Sequence, residues 1–350
     1  MATRASHRSS SWRSQVARHL WVVIPLAVAW AAYRNRDAIV RAASLIGRAN
    51  WSWLGAAALA IGGVYLCRAR VYAVPLRPLG YDAPLPFLWT TAVAATSLHQ
   101  LLPAAGATGY AFLTYAFRQR GVPTGQASLV ALVDTLSYAV ALATIVVGSL
   151  IYLAVGGVLE VGRLAIVFAP GAAVVALAAW VYRAQRDRRR FVPIVLRWKT
   201  RVASLLGARW PDEPVRAFLH DYYEGKRLIG CRRRAFYEMI GLQYLAVICD
   251  AIALYLSFVA IGVMPNIVTA LIGFVLSMSG AAVVGAPAGG GGFEAIMAAF
   301  WARHGVDAAH GIAAAVLYRL VAFWLPVGMT LIILWRLRRR RRQIARAAGT

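Results

Sequence analysis

The side chains of this chain that could do chemistry lie inside long apolar stretches. The ionisable ones are His99, Asp134, Asp250, Glu294 and Arg319. A charged group inside hydrocarbon is costly, so such residues usually face a protein interior or a cavity and mark a path for ions or polar substrates. Glu294 follows a run of glycines, and Arg319 lies near the middle of the last apolar stretch. We therefore expect these two to meet as an ion pair near the membrane centre.

Each of these residues also has a purely structural interpretation. Glu294 and Arg319 could simply neutralise each other and fix the packing, as buried ion pairs often do. Asp134 and Asp250 could couple to protons or cations, or they could be aspartates satisfied by hydrogen bonds. His99 has no HExxH-like partner and the three cysteines form no CxxC pair. We therefore expect no metal and no other cofactor.

Two apolar stretches are too long for one straight helix and are interrupted near their middle. They are residues 85–117 and 266–302. Proline removes a backbone donor, and each glycine costs a helix about 1 kcal/mol. Non-helical backbone at membrane depth is tolerated only inside protein or beside a wet cavity. We therefore predict two re-entrant hairpins, whose tips add glycines and prolines to a substrate pathway. These tip residues are Pro103, Gly106, Gly109, Pro287, Gly289, Gly290, Gly291 and Gly292.

The composition as a whole is that of a membrane protein. Of the 350 residues, 60% are hydrophobic and only 15% are charged, against about half and a quarter in soluble domains. The apolar stretches predict an all-α, polytopic membrane protein with six full spans plus the two hairpins. The net charge of +25 lies mostly in arginine-rich segments between these stretches. There it sets topology and contacts anionic lipids, so we expect no nucleic-acid partner.

The arginine clusters divide the chain into five segments. These are a basic tail (1–18), a first membrane half (19–182), a basic amphipathic segment (183–235), the rest of a second membrane half (236–335) and a second basic tail (336–350). The positive-inside rule places both tails and the middle segment in the cytoplasm. That segment is either a pair of helices in the headgroup plane or a solvated linker.

The polar segments at the membrane edges follow the positive-inside rule with one exception. Arg68, Arg70 and Arg77 are expected to flank the first hairpin on its cytoplasmic side. The loop 34–50 should be external, yet it carries four arginines. It is either an interfacial helix or a sign that the first span is misplaced.

The two membrane halves are predicted to form an inverted repeat. When the second half is aligned with the first half without gaps, Pro287 falls on Pro103 and Gly290 falls on Gly106. In the same alignment the Gly-Val pair at 305–306 falls on the one at 121–122. Inverted repeats with interrupted helices near the midplane are the usual construction of alternating-access carriers. The pattern therefore favours a transporter.

Three motifs of the second half resemble the signature of the lysylphosphatidylglycerol synthase transmembrane (flippase-like) family. They are the Gly-Ala-Pro-Ala-Gly-Gly-Gly-Gly-Phe-Glu stretch at 285–294, the Gly-Val turn at 305–306 and the Tyr-Arg pair at 318–319. Similar but weaker matches lie at 101–106 and 133–138. The resemblance spans about 85–330 and implies a bacterial inner-membrane protein that moves polar-headgroup lipids between leaflets. It also implies a family-type core made of Pro287, Gly290, Gly292, Glu294, Tyr318 and Arg319.

Two departures from the family pattern matter. Charged residues that usually follow the first Pro-x-x-Gly are replaced by Ala-Thr-Gly-Tyr at 107–110, so a charged substrate contact there would be missing. The chain ends at Thr350 without an aminoacyl-transferase domain, so we expect it not to make lysylphosphatidylglycerol.

The leading hypothesis is therefore flippase-like translocation of a phospholipid or an aminoacylated, hopanoid or polyprenyl-linked lipid. The alternative is a membrane enzyme or accessory subunit acting on a lipid-linked substrate, with Glu294 or Asp134 as acid or base. The partners we expect are anionic membrane lipids and, as an alternative to a monomer, a second copy in a homodimer. The arginine-rich composition is typical of a GC-rich bacterial gene, and we expect both termini in the cytoplasm of the bacterial inner membrane.

Overall fold

The computed structural model describes residues 36–101, 107–156, 183, 188–205, 212–230, 233–284 and 292–335. All regular structure in these ranges is helical, which confirms the all-α class. The helices are α1 (Arg36–Gly47), α2 (Trp51–Leu76), α3 (Leu85–Leu101), α4 (Ala107–Arg118), α5 (Thr124–Val155), α6 (Arg188–Leu205), α7 (Glu213–Gly230), α8 (Arg233–Ala260), α9 (Ile267–Val284), α10 (Gly292–Arg303) and α11 (Ala308–Arg319). A π-helical turn, Leu320–Trp324, continues α11.

Four helical segments of the described residues are long and apolar enough to cross a membrane. They are Trp51–Leu79, Thr124–Val155, Arg234–Ala260 and Ala308–Trp335. Their length and composition confirm a helical membrane protein with several spans. The two further predicted spans, 19–33 and 163–182, lie outside the described residues.

The long helices α2 and α8 pack against each other in antiparallel orientation and form the centre of the core. At one end, the backbone N–H of Asn50 donates to the carbonyl of Ala260 at 2.8 Å. Farther along, Gly63 faces Cys249, where an added Cβ would lie 3.5 Å from the sulfur. Because the two helices run in opposite directions, the segments that follow them leave from opposite ends of the bundle.

Each predicted hairpin contains two shorter helices that pack side by side in antiparallel orientation. In the first, α3 and α4, the Thr108 hydroxyl donates to the Leu98 carbonyl at 3.1 Å. In the second, α9 and α10, an added Cβ on Gly273 would lie 2.8 Å from the Phe300 ring. The connecting residues 102–106 and 285–291 lie outside the described residues. They contain Pro103, Gly106, Pro287, Gly289, Gly290 and Gly291.

The same glycine turn ends the second helix of each pair. Gly121 and Gly305 have φ values of 84° and 78°, a region that a side chain disfavours. The following residues close the turn in the same way. Val122 N–H donates to the Phe117 carbonyl at 3.2 Å, and Val306 N–H donates to the Trp301 carbonyl at 3.0 Å. The distance in sequence between Gly121 and Gly305 equals that between Pro103 and Pro287. The two turns therefore agree with the predicted alignment of the two halves.

A second matched turn precedes each pair, at a slightly shorter offset. Gly80 and Gly262 have φ values of 82° and 83°. Tyr81 N–H donates to the Leu76 carbonyl at 3.1 Å, and Val263 N–H donates to the Phe258 carbonyl at 3.1 Å. Gly80 and Gly262 are two positions closer in sequence than Gly121 and Gly305 are. The stretch between the two matched turns is therefore two residues longer in the second half, and the predicted ungapped alignment holds from Pro103 and Pro287 onward.

Two segments that were predicted to be polar loops or membrane-edge segments are helical in the structure. Arg68 and Arg70 were expected in a polar segment before the first hairpin, but α2 continues to Leu76 and contains both. The apolar run ends at Cys67 while the backbone remains helical to Leu76. The Arg68 side chain lies over the ring of Tyr138 on α5. Within residues 34–50, which were expected to form an interfacial helix or to indicate a misplaced first span, the structure shows the helix α1 (Arg36–Gly47). Arg41 lies 3.8 Å from Asp307 at the start of α11.

The basic segment 183–235 contains α6 and α7, and α7 packs against the first turn of α5. An added Cβ on Gly125 would lie 2.3 Å from the Phe218 carbonyl oxygen. Leu219 and Tyr222 are buried on this face, and Lys199 pairs with Asp212. A solvated linker would not bury these side chains, so α7 is part of the packed structure.

Candidate functional site

The predicted ion pair between α10 and α11 is present in the structure. Arg319 Nε lies 2.5 Å from Glu294 Oε1, and the two side chains are 16% and 21% exposed. Glu294 is in the first turn of α10, where the helix dipole favours a negative charge. The sequence-based pairing of these two residues is therefore confirmed, and the pair is partly accessible.

Aromatic rings and a local change of helix type hold Arg319 in place. The ring of Phe293 stacks on that of Tyr318 at 5.7 Å between centroids. The guanidinium carbon of Arg319 lies 5.2 Å from the centre of the Phe293 ring. Directly after Arg319 the helix becomes π-helical, and Leu325 N–H donates to the Leu320 carbonyl. Single π turns inside helices occur frequently at functional sites.

Asp134 and Asp250 both accept hydrogen bonds from neutral donors. The Tyr318 hydroxyl donates to Asp250 Oδ1 at 3.0 Å. The Gln243 side-chain amide donates to Asp134 Oδ1 at 2.9 Å. Three helices, α5, α8 and α11, therefore meet through these bonds, and Tyr318 links Asp250 to its chain neighbour Arg319 in the ion pair.

Arg68 belongs to this region, and sequence reasoning missed it. Its guanidinium carbon lies 5.5 Å from the centre of the Tyr138 ring. Its Nε atom is buried and has no hydrogen-bond partner among the described residues. The missed signal is its spacing. Arg68 and Asp250 are as far apart in the sequence as the matched turns at Gly80 and Gly262. Asp134 and Tyr318 are as far apart as the matched turns at Gly121 and Gly305.

Arg68, Asp134, Asp250 and Tyr318 form what we call the polar layer. Each lies ten or eleven residues from the nearer end of an apolar helical segment that is long enough to cross a membrane. At 1.5 Å per residue this is about 15–17 Å, roughly half the thickness of a hydrocarbon core of about 30 Å. The layer therefore lies near mid-depth of the long apolar helices.

Gly109 and Gly292 are the predicted tip residues that the structure describes. Gly109 is buried, and an added Cβ would lie 3.0 Å from both the Ala95 carbonyl oxygen and the His99 Cβ. Glycine at this position therefore permits the close approach of α3 and α4, which is a packing role. Gly292 is the first residue of α10.

The first helix of each pair carries a buried serine hydroxyl close to the interruption. Ser97 Oγ in α3 and Ser279 Oγ in α9 have no hydrogen-bond partner among the described residues. The two serines occupy matching positions, since the offset between them equals that between Gly80 and Gly262. A buried hydroxyl without a partner is costly, so both sites are suited to receive a polar ligand or water.

One group of side chains in the described residues is close enough together to share a metal ion. It consists of His220, Asp221 and Glu224 on α7, with ligand atoms within 4.8 Å of one another. His220 and Glu224 are exposed, and exposed acidic groups are common without an ion. It lies on a different helix from the polar layer and contributes nothing to it.

Comparison with known proteins points to one family. The family model described as "Lysylphosphatidylglycerol synthase TM region" matches residues 19–329. This range contains the polar layer and the Glu294–Arg319 pair. A search among curated proteins finds no match.

Proposed function

Because the chain belongs to the lysylphosphatidylglycerol synthase TM-region family, we propose that it translocates polar-headgroup lipids between the leaflets of the bacterial inner membrane. The cargo class is a phospholipid or an aminoacylated, hopanoid or polyprenyl-linked lipid. The observation that carries the proposal is that charged and hydrogen-bonding side chains, namely the polar layer and the ion pair between Arg319 and Glu294, lie among the long apolar helices.

The physical reason is the cost of moving a headgroup through hydrocarbon. A polar group that loses water without gaining a partner costs several kcal/mol, and a charge costs much more. Charged and hydrogen-bonding side chains at mid-depth replace that water, while the acyl chains stay in the bilayer. Polar groups inside spans are otherwise rare, which makes a pathway the default interpretation.

The proposed topology is an inverted repeat in which α3–α4 and α9–α10 are re-entrant hairpins from opposite membrane faces. Its support is the antiparallel packing of α2 and α8 together with the matched turns before and after each pair. The basic segments 1–18, 183–235 and 336–350 then face the cytoplasm and attract anionic lipids. Pro103, Gly106, Pro287 and residues 289–291 belong to the two tips in this proposal.

The proposal is tested with the purified protein in vesicles that contain a trace of fluorescent phospholipid. A membrane-impermeant reductant bleaches only the outer leaflet of protein-free vesicles. With the protein present, we expect inner-leaflet lipid to move outward and to be bleached as well. Protection equal to that of protein-free vesicles would contradict translocation.

The same vesicles distinguish a transporter from an enzyme acting on a lipid-linked substrate. A transporter leaves every headgroup chemically unchanged, whereas an enzyme must alter it. Mass spectrometry of the extracted lipids, before and after incubation, should therefore detect no new headgroup species. A new species that disappears in a Glu294→Gln variant would favour the enzyme.

A further inference from the structure

The short helices α1 and α7 occupy matching places in the two halves of the chain. Each precedes a long span, α1 before α2 and α7 before α8. When α1 is shifted by the distance in sequence between Gly80 and Gly262, it falls on residues 218–229, which lie inside α7. Both helices end at a glycine, Gly47 in one and Gly230 in the other. They are therefore the same element of the proposed repeat.

Each of these helices packs against the half into which it does not lead. The helix α7 leads into the second half, yet it contacts α5 and the turn after α2 in the first half. The helix α1 leads into the first half, yet it packs against α11 in the second half. The two contacted spans also match, since α5 and α11 each begin three residues after a matched turn glycine, Gly121 or Gly305. An exchanged helix therefore joins the halves at both ends of the bundle.

The contact that α7 makes is closely fitted. An added Cβ on Gly125 in α5 would lie 2.3 Å from the Phe218 carbonyl oxygen and 2.6 Å from the Tyr222 backbone nitrogen. Leu219 and Tyr222 are buried on this face of α7. Closely packed surfaces of this kind have discrete arrangements and do not deform gradually. The helix α7 is therefore either seated on α5 or released from it.

The contact that α1 makes with α11 is weaker. The buried residues of α1 are alanines, Ala38 and Ala42, which bury less apolar surface than leucine and tyrosine do. Its ion pair, between Arg41 and Asp307, spans 3.8 Å, and the two side chains are 61% and 49% exposed. Exposed ion pairs contribute little and are screened by salt. We therefore expect α1 to be released more easily than α7.

The two spans held in this way also contribute to the polar layer. Asp134 on α5 accepts a hydrogen bond from Gln243 on α8. Tyr318 on α11 donates a hydrogen bond to Asp250 on α8. A shift of α5 or α11 relative to α8 would therefore change the polar layer, and α7 and α1 hold the starts of these two spans.

We propose that α1 and α7 are gating straps, and that each must release the span it holds before the pathway opens at its end of the bundle. Because a pathway open at both ends would leak, one strap is released only while the other is seated. In the proposed topology α7 controls the cytoplasmic end and α1 the external end. This inference rests on the proposed function and adds the elements that open and close the path.

The first test measures strap release without transport. In the purified full chain, with the native cysteines replaced by alanine, Ala42→Cys places a thiol on the buried face of α1. Its rate of reaction with a soluble maleimide reports release of that strap. Gly125→Val should force α7 from its seat, and labelling at position 42 should then slow by at least about fivefold, as for a typical coupling between two sites. Gly148→Val, on the same helix as Gly125 but with nothing within 4 Å of an added Cβ, should leave the rate unchanged.

The reverse measurement should agree, because a coupling between two sites is reciprocal. Leu219→Cys places the reporter thiol on the buried face of α7. Ala42→Phe introduces a ring that the buried face of α1 has no room for, so it should release α1 and slow labelling at position 219. Should Gly125→Val fail to fold, Leu219→Ala weakens the α7 contact without a clash. It should slow labelling of Ala42→Cys by a smaller factor.

The second test holds each strap closed during transport. Gly225→Cys with Gln126→Cys joins α7 to α5, since an added Cβ on Gly225 would lie 3.3 Å from the Gln126 Cγ. Arg41→Cys with Asp307→Cys joins α1 to α11 at their 3.8 Å contact. A short bifunctional thiol reagent cross-links each pair, and either cross-link alone should stop the movement of fluorescent phospholipid in vesicles. The cysteine-free protein, treated with the same reagent, should still move it.

The two tests separate failure of the straps from failure of the proposed function. Labelling at position 42 that is unchanged or faster when α7 is released would overturn the straps. Lipid movement that continues after complete cross-linking of either pair would overturn the straps and retain translocation. Reciprocal labelling in a protein that moves no lipid would refute translocation and retain the two straps as a coupled pair.

Discussion

Glu294 and Arg319 show how two residues on separate helices can be predicted to meet. Both charges lie deep in apolar stretches, and in such an environment each needs a partner. The structure joins them at 2.5 Å and leaves both side chains partly exposed. Ion pairing stabilises the contact between α10 and α11, and both side chains remain partly accessible.

Removing one member of this pair should destabilise the protein more than removing both. Glu294→Gln or Arg319→Met alone strands a charge at mid-depth, which typically costs about 3–5 kcal/mol in the buried case. The double variant should recover most of that loss. Thermal melting of the four proteins in detergent measures the coupling.

A matched control for these variants is Arg303→Gln, which removes an exposed charge at the end of α10. It should leave the melting temperature nearly unchanged. A double variant as unstable as the sum of the two single variants would show that the ion pair contributes no coupling.

Arg68 shows where residue-level prediction fails. Its neighbours Arg70 and Arg77 made it look like the start of a polar segment, because hydropathy alone does not say which way a side chain points. The helix continues past Arg68 and Arg70 up to Leu76. Only the relation between the two halves, with Asp250 at the matching position, could have suggested a buried role.

At the scale of helices, the contact between α5 and α7 depends on one glycine. An added Cβ on Gly125 would lie 2.3 Å from the Phe218 carbonyl oxygen and 2.6 Å from the Tyr222 backbone nitrogen. Backbone atoms cannot rotate away as a side chain can. Gly125→Val should therefore separate α7 from the bundle and expose the arginine-rich segment around it to trypsin.

The control for this prediction lies on the same helix. An added Cβ on Gly148 would meet nothing within 4 Å, so Gly148→Val introduces the same side chain without a clash. Limited proteolysis with mass spectrometry should show faster cleavage near residues 206–211 in Gly125→Val alone. Identical cleavage in both variants would mean that α7 does not depend on this contact.

The helix pairs were largely predictable, because prolines and glycines interrupt otherwise apolar sequence. The first hairpin was expected at 85–117, and its helices extend from Leu85 to Arg118. The offset between halves was predicted only in part. An alignment without gaps that starts from the Gly-Val turns cannot show a difference in length between the two halves. The matched turns at Gly80 and Gly262 show that the second half is two residues longer between its turns than the first half is.

At the scale of the whole molecule, the proposed topology places the two ends of the bundle on opposite sides of the membrane. Thr200 in α6 and Met264 after α8 are both exposed and suit labelling. In a background without the native cysteines, Thr200→Cys should react with an impermeant thiol reagent only after cells are opened. Met264→Cys should react in intact cells once the outer barrier is removed.

The expectation follows from the arginine distribution and from the antiparallel packing of α2 and α8. The positive-inside rule sets which end is cytoplasmic, and the packing sets which segments share an end. Labelling of both positions from the same side would contradict the inverted repeat. Labelling with the two sides exchanged would retain the repeat and reverse the orientation.

The central claim is that lipid headgroups cross the membrane at the mid-depth polar groups. Its most direct test is leaflet exchange in vesicles, comparing the natural sequence with the Glu294→Gln/Arg319→Met double variant after melting has shown that the double variant is folded. We predict that the natural sequence exposes inner-leaflet fluorescent phospholipid to the impermeant reductant. The folded double variant should behave like protein-free vesicles. Exchange by the double variant at the rate of the natural sequence would contradict the claim that this site lies on the path.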